Sequence, residues 1–355
     1  NKRYHHRLRP SITSITNEEF LNDRFALKKN YVVFCPDAEF GPAKNLKVEE
    51  MNEPILNDDE VNIKVHSAGI NFPDILIVEG KYQFKPDFPF APGAEAAGEI
   101  ISLGKNVTNL KVGQRVIAMT GHGAFAEVVK APQKKIIPLS DDVGYEIASI
   151  LPMVYGTSAH ALIQRGKLKK GETLLVHGAA GGVGLAAVEI GKAMGAKVIA
   201  TASTDEKCSV AKEHGADEVI NYSNGEFKET VKSMTDGKGA DVIYDPVGGD
   251  VFDQSLRCIA WEGRLLVIGF TSGRIPSAPA NLALLKSCDI VGVFWGAFVE
   301  RTPDINLQNF EKLYQWIGEG YIKPRISMKV PLEKTLNAMQ AIADRKIIGK
   351  AIVKI

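Results

Sequence analysis

The pattern of apolar and polar positions divides the chain into stretches of different period. Val61, Ile63 and Val65 alternate with Asn62, Lys64 and His66, the two-residue repeat of a strand with one buried face. Around it, from residue 31 to about 135, Gly and Pro recur at Gly41-Pro42, Pro54, Gly69, Pro73, Gly80, Pro86, Pro89, Pro92-Gly93 and Gly98, cutting the region into short pieces. A compact, mostly β domain is predicted there. Near Gly156 the pattern changes. Residues 173–177 read as a short apolar strand, residues 178–184 are glycine-rich, and residues 183–194 read as an Ala-rich apolar helix. A helix stop then recurs at Gly195-Ala196-Lys197, Gly215-Ala216-Asp217 and Gly239-Ala240-Asp241, since Gly fits the left-handed position past a helix end. Each stop leads into a β-branched strand: Val198-Ile199, Val219-Ile220 and Val242-Ile243-Tyr244. Strands alternating with helices of this length predict βαβ units and a parallel sheet, continued at residues 264–268 and 289–294. In the tail, Leu307, Phe310, Leu313, Tyr314 and Ile317 share one helical face. Leu332, Leu336, Met339 and Ile342 suggest a second helix, and residues 351–355 a last strand. The expected class is therefore α/β. A mostly β domain, residues 31–155 and 300–355, receives a doubly wound domain, residues 156–299, as an insertion, behind an N-terminal extension, residues 1–30.

Composition narrows the picture. A chain of 355 residues, 45% hydrophobic and 24% charged, is long enough for two domains with sizeable cores. Lys and Arg number 43 against 42 Asp and Glu, so the net charge of +1 gives no reason to expect nucleic acid or an anionic membrane as main partner. No apolar run approaches the ~18–20 residues of a membrane span. The cysteines Cys35, Cys208, Cys258 and Cys288 form no Cys-x-x-Cys pair, which speaks against a structural zinc site or a disulfide scaffold and for a reducing compartment. The expected location is cytoplasmic. Lys2, Arg3, Arg7 and Arg9, followed by Ser11, Thr13, Ser14 and Thr16 before the first acid Glu18, make mitochondrial import the alternative, if this segment is a transit peptide and not a solvated extension.

The candidate chemistry centres on His177-Gly178-Ala179-Ala180-Gly181-Gly182-Val183-Gly184, between the first strand of the βαβ unit and its first helix. Glycines let backbone approach a pyrophosphate, and the helix N-terminus offers free N–H groups and a positive dipole end. The surrounding strand, helix and βα repeats make this a dinucleotide site. The second strand ends in Ala202-Ser203-Thr204, with no acid before Asp205, and is followed by Lys207. An NAD site usually carries an acid there; hydroxyls and a lysine suit the 2′-phosphate of NADPH.

With these motifs placed, residues 31–355 resemble the zinc-free medium-chain dehydrogenase/reductase superfamily, and within it the quinone oxidoreductase (zeta-crystallin-like) family. The resemblance is carried by Gly69-Ile70-Asn71-Phe72-Pro73-Asp74, Gly80-Lys81-Tyr82, Pro92-Gly93-Ala94-Glu95-Ala96-Ala97-Gly98, the glycine loop, Gly215-Ala216-Asp217 with Asn221-Tyr222, Asp245-Pro246-Val247-Gly248 and Gly269-Phe270. It implies a GroES-like catalytic domain beside a Rossmann domain, with NADPH in the cleft between them. By the same resemblance, Ala180, Gly181, Gly182 and Val183 would hold the pyrophosphate, and Ser203, Lys207 and Tyr222 the 2′-phosphate. Phe270, Phe294 and Trp295 would flank the nicotinamide, and Lys350 would stand near the adenosine phosphate. Asn71, Tyr82 and Thr157 would face the nicotinamide and the substrate as the catalytic set. Glu189 reads as a surface change and His122 as a solvated turn histidine.

The metal-dependent branch of that superfamily uses Cys and His to hold a zinc ion that polarises an alcohol. No Cys or His stands at Ser67-Ala68-Gly69-Ile70 or in Gly93-Ala94-Glu95, so no metal is expected. A quinone accepts hydride without such help if it is oriented against the cofactor in a dry cleft. The leading expectation is a zinc-independent NADPH:quinone oxidoreductase. The alternatives are a reductase of α,β-unsaturated carbonyls or enoyl thioesters, and a non-enzymatic NADPH-binding crystallin-like or RNA-binding protein. The apolar strand at residues 289–294, left as a sheet edge, predicts a homodimer.

Overall fold

The computed structural model of the protein describes residues 30–34, 41 and 46–355. The basic segment at residues 1–29, and Cys35, lie outside the described residues. The strands are, in chain order, β1 (Asn30–Phe34), β2 (Lys47–Met51), β3 (Glu60–Ile70), β4 (Glu95–Leu103), β5 (Arg115–Met119), β6 (Val128–Pro132), β7 (Ile136–Pro138), β8 (Thr173–Val176), β9 (Lys197–Ala202), β10 (Glu218–Asn221), β11 (Ala240–Asp245), β12 (Ile259–Val267), β13 (Asp289–Gly292), β14 (Ile326–Pro331) and β15 (Lys350–Lys354).

β1 and β2 pair with each other. A seven-stranded sheet has the order β14-β15-β3-β4-β5-β7, with β6 also on β3. Within β3, Val61 and Ile63 are fully buried and Lys64 is exposed, as the alternation predicts. Asn62 departs from it: it is buried, and its amide donates to the Pro54 carbonyl at 3.1 Å. The second sheet is wholly parallel, in the order β10-β9-β8-β11-β12-β13. That is the doubly wound order, in which the direction of strand progress reverses between β8 and β11 and opens a crevice at their carboxyl ends. The three helix stops Gly195, Gly215 and Gly239 have φ of 80°, 110° and 86°, a region that costs glycine nothing.

Some elements differ from expectation. A helix, Phe72–Val78, interrupts the β domain; the Asp74 carboxylate accepts from the Asn71 N–H at 2.7 Å and closes its first turn. Two π-helical turns, Leu151–Gly156 and His160–Arg165, flank the short α turn Thr157–Ala159. β13 ends at Gly292, so Val293 and Phe294 lie beyond it. The largest apolar cluster runs across both sheets, joining Ile117 and Leu139 to Leu174, Val176, Tyr244 and Leu266 through Leu151, Leu162, Phe310 and Trp316. Each such side chain contributes about 1.5–3 kcal/mol when fully buried. The segment at residues 151–165 and the helix Pro303–Gly318 thus hold the two sheets together.

Candidate active site

The glycine loop leaves β8 at the crevice. His177 lies under it, fully buried, with Nδ1 at 2.9 Å from Thr201 Oγ1 and Nε2 at 2.8 Å from Ser255 Oγ. Burial lowers its pKa to about 3, so it is a neutral packing residue. The helix Gly182–Ala193 begins after Gly181 with no side-chain cap. The next helix, Asp205–Glu213, is by contrast capped by Thr204, which accepts from the Lys207 N–H. The orphan donors around Gly182 and Val183 are therefore left for a ligand. At Gly184 a Cβ would lie 2.2 Å from the Gly178 carbonyl oxygen, so no other residue allows this close turn. The loop is held from the other domain by Gly349 N, which donates to the Ala180 carbonyl at 2.8 Å, and from its own domain by Ser158 Oγ, which donates to that of Val183 at 3.1 Å. Thr157, half-buried, is the neighbour of that serine. These residues fit a dinucleotide pyrophosphate.

The second group stands at the end of β9. Asn221 lies opposite Ala202 in register, which sets Tyr222 beside Ser203. The nearest acid, Asp205, accepts from the Asn221 amide at 2.7 Å. Lys207 extends its ammonium to the Arg345 carbonyl at 3.2 Å, and Arg345 donates to the Thr271 carbonyl at 3.0 Å. Arg345 is thus a cation at this end that sequence reasoning passed over. Its partner Lys207 is 138 residues away, and Asp344-Arg345-Lys346 reads as an ordinary charged turn.

The third group is buried. Asn71, at the start of the helix Phe72–Val78, donates its amide to Glu95 Oε1 at 2.8 Å. Lys350, 5% exposed, donates to Asn71 Oδ1, to the Ile70 carbonyl at 2.9 Å and to Glu95 Oε1 at 3.2 Å. The sequence expectation sets Lys350 near the adenosine phosphate; in the structure its three protons are spent on buried oxygens beside Asn71. Asp74 is fully buried; burial, and secondarily the charge of Glu95, raise its pKa to about 7 against the pull of the Asn71 N–H, Lys350 and the Gly93 N–H. Burial and then the Asp74 charge raise the half-buried Tyr82 hydroxyl above its ordinary pKa, so it is a donor at neutral pH.

The aromatic set is distributed differently from expectation. Trp295 is 7% exposed, stacked where a Cβ on Gly156 would meet its ring at 2.7 Å, and its Nε1 donates to Asn306 at 3.1 Å. It backs the turn that carries Thr157 and is a core residue, not an open flank. Phe270, 39% exposed, packs on Gly248, and Phe294 is 71% exposed beyond β13. Glu189 is also corrected. It is 1% exposed and accepts from Tyr155 at 2.7 Å, from the Lys323 N–H at 3.1 Å, and lies 2.6 Å from His214 Nδ1. His122 is exposed and stacks on Phe84 at 5.9 Å.

Among the described residues, no three His, Cys, Asp or Glu side chains are grouped to hold a metal ion. Beside Asn71 and Glu95 an ammonium already supplies the positive charge, and it would repel a zinc ion. No helix among the described residues is long and apolar enough to cross a membrane.

Comparison with known proteins extends this geometry. Residues 57–141 match the family model of the alcohol dehydrogenase GroES-like domain, and residues 182–312 that of zinc-binding dehydrogenases. The chain is 42% identical over 331 residues to quinone oxidoreductase-like protein 2 homolog of Nematostella vectensis, covering 92% of this chain and 89% of that protein. It is 33% identical to quinone oxidoreductase of Homo sapiens, over 86% of this chain and 92% of that one. Among solved structures, Escherichia coli quinone oxidoreductase complexed with NADPH aligns with a TM-score of 0.84 at 28% identity, over 92% and 99% of the two chains.

Proposed function

The chain belongs to the quinone oxidoreductase family of zinc-free medium-chain dehydrogenases/reductases, and from that premise we propose that it reduces quinones with NADPH, without a metal. The observation that carries this reading is the Asn71 amide, held by the buried Lys350 ammonium that runs beside the glycine loop, with no cluster for a Lewis acid among the described residues. The E. coli relative complexed with NADPH and the acid-free end of β9 both support NADPH as cofactor. Gly181, Gly182 and Val183 would hold its pyrophosphate, and Ser203, Lys207, Tyr222 and Arg345 its 2′-phosphate.

When bound, NADPH supplies a hydride from C4 of its nicotinamide. The protein's part is orientation and exclusion of water. Asn71 has one amide proton left after Glu95 takes the other, and Tyr82 keeps its hydroxyl proton at neutral pH. Both can hydrogen-bond an acceptor oxygen as negative charge develops on it. Thr157 would position the nicotinamide carboxamide. Water provides the proton that completes the hydroquinone. The test is NADPH and NADH oxidation with a panel of quinones, enones and enoyl thioesters. Turnover is expected with NADPH and quinones; faster turnover of an enone or thioester would move the assignment to that class.

A homodimer is proposed through β13. That strand is the edge of the parallel sheet, with Ile290 38% exposed and Leu284, Leu285 and Ile275 exposed at 79%, 68% and 73% nearby in sequence. Light scattering at micromolar concentration should give twice the mass of 38.6 kDa, and a monomer would refute it.

A further inference from the structure

We propose that Lys350 is a positioning residue for hydride transfer: it fixes the orientation of the Asn71 carboxamide and ties it to the glycine loop. The inference rests on the reading that Asn71 faces the reacting centre.

A carboxamide is nearly symmetric in shape, and its two ends differ only in what they bond. Turned one way, Asn71 presents a donor to a ligand; turned the other, an acceptor. The neighbours decide. An ammonium only donates and an ionised carboxylate only accepts. Lys350 on Oδ1 and Glu95 on Nδ2 therefore permit one orientation. Lys350 is itself pinned: its three protons meet the Ile70 carbonyl at 2.9 Å, Asn71 Oδ1 and Glu95 Oε1 at 3.2 Å. Glu95 is held from its other side, where Oε2 accepts from Met153 N at 2.8 Å. The stem of the lysine runs beside the loop, since a Cβ on Gly182 would lie 2.9 Å from Lys350 Cδ. One residue back, Gly349 donates to the Ala180 carbonyl at 2.8 Å. A displacement of the pyrophosphate loop therefore bears on the ammonium and, through it, on Asn71. The other charged and titratable groups of this pocket are Asp74 and Tyr82.

The experiment compares wild type, K350M and K350M/E95Q. Removing the ammonium alone leaves Glu95 buried without a counter-charge, a state that folds best with the carboxyl protonated. The thermal stability of K350M should fall more steeply with rising pH than that of wild type, and in K350M/E95Q only the decline that the neighbouring Asp74 contributes should remain. In the double variant the glutamine that replaces Glu95, itself an amide, accepts either orientation of Asn71. Its kcat is expected to stay about ten- to a hundredfold below wild type, with the NADPH dissociation constant within about threefold. The nicotinamide emission of bound NADPH, which needs no turnover, should also drop. A folded K350M/E95Q with wild-type kcat, or with wild-type NADPH emission, overturns the inference. If the double variant does not fold, K350M alone decides by the same two readouts: wild-type kcat or wild-type NADPH emission in folded K350M overturns the inference. Wild-type inactivity with every acceptor would refute the proposed function, while the emission of bound NADPH would still judge the role of Lys350.

Discussion

The two ends of the cleft are built on opposite principles. At the Asn71 end every charge is buried, and Lys350, Glu95 and Asp74 are 5%, 0% and 0% exposed. At the Lys207 end the cations stand at the surface, and their bonds to Arg345 and Thr271 carbonyls are those of exposed side chains. Buried charges interact strongly and cannot rearrange without loss of structure; exposed ones are screened and replaceable. The first end is suited to fixing the geometry of a reaction, the second to choosing between two closely similar cofactors at little cost in stability.

The largest expected effect tests the buried end. Glu95→Ala leaves the Lys350 ammonium without the carboxylate it bonds and exposes the Asn71 amide to an empty pocket. A destabilisation of about 3–5 kcal/mol is expected from the shift of the denaturant midpoint. A change below about 1 kcal/mol would erase the contrast between the two ends. Lys207→Ala tests the open end. It should weaken NADPH binding by about 1.5–3 kcal/mol, roughly ten- to a hundredfold in Kd, and leave NADH binding and the melting temperature almost unchanged. Added salt should weaken wild-type NADPH binding in the same direction. Equal Kd values for the two cofactors in the wild type would remove the selectivity role.

Asp74 offers a finer test. Its folded pKa of about 7 lies above the ordinary carboxyl value of 3.8, so the folded state holds this proton more tightly than the unfolded one. The contribution to stability is complete below about pH 4 and is lost as pH rises through about 7. Asp74→Asn should flatten the decline of stability across that window; an unchanged slope would show that another group carries it. The smallest effect is assigned to Tyr82→Phe, which keeps the ring and loses one hydroxyl. Turnover should fall roughly tenfold or less. A thousandfold loss with NADPH binding intact would make Tyr82 an obligatory proton donor and give the buried end an acid that orientation alone does not require.

These contrasts also explain what the sequence discloses. The glycine loop is legible because strand, turn and helix are contiguous, and each glycine has a local reason, as Gly184 has against the Gly178 carbonyl. Ser203, Lys207 and Tyr222 are legible because adjacent parallel strands in the expected order bring their ends together. The buried cluster is not. Asn71, Glu95 and Lys350 are separated by 24, 255 and 279 residues, pair by pair, and meet only because β15 lies antiparallel to β3, and β3 to β4. Nothing local distinguishes Lys350 from a surface lysine, and its bonds to Asn71 and Glu95 are not announced by any neighbouring residue. Glu189 was open to a better reading, since Ala186, Ala187, Val188 and Ile190 around it are all apolar. A carboxylate among them signals a buried polar junction. The burial of Trp295 is not legible, because its partners, Gly156 and Asn306, belong to a π-helical turn and a helix whose meeting no periodicity announces.

The pairing of β15 with β3 has a consequence for how the protein comes off the ribosome. The parallel sheet is contiguous in the chain, from β8 to β13, and can assemble as soon as it emerges. β3, β4 and the helix that begins beside Asn71 are made before it, yet their neighbour β15 is made after it. Until that strand arrives, Glu95 has no ammonium to meet and the Ala180 carbonyl has no Gly349 to bond. A nascent chain therefore carries its glycine loop early and completes the cluster of Asn71, Glu95 and Lys350 only once β15 has been made.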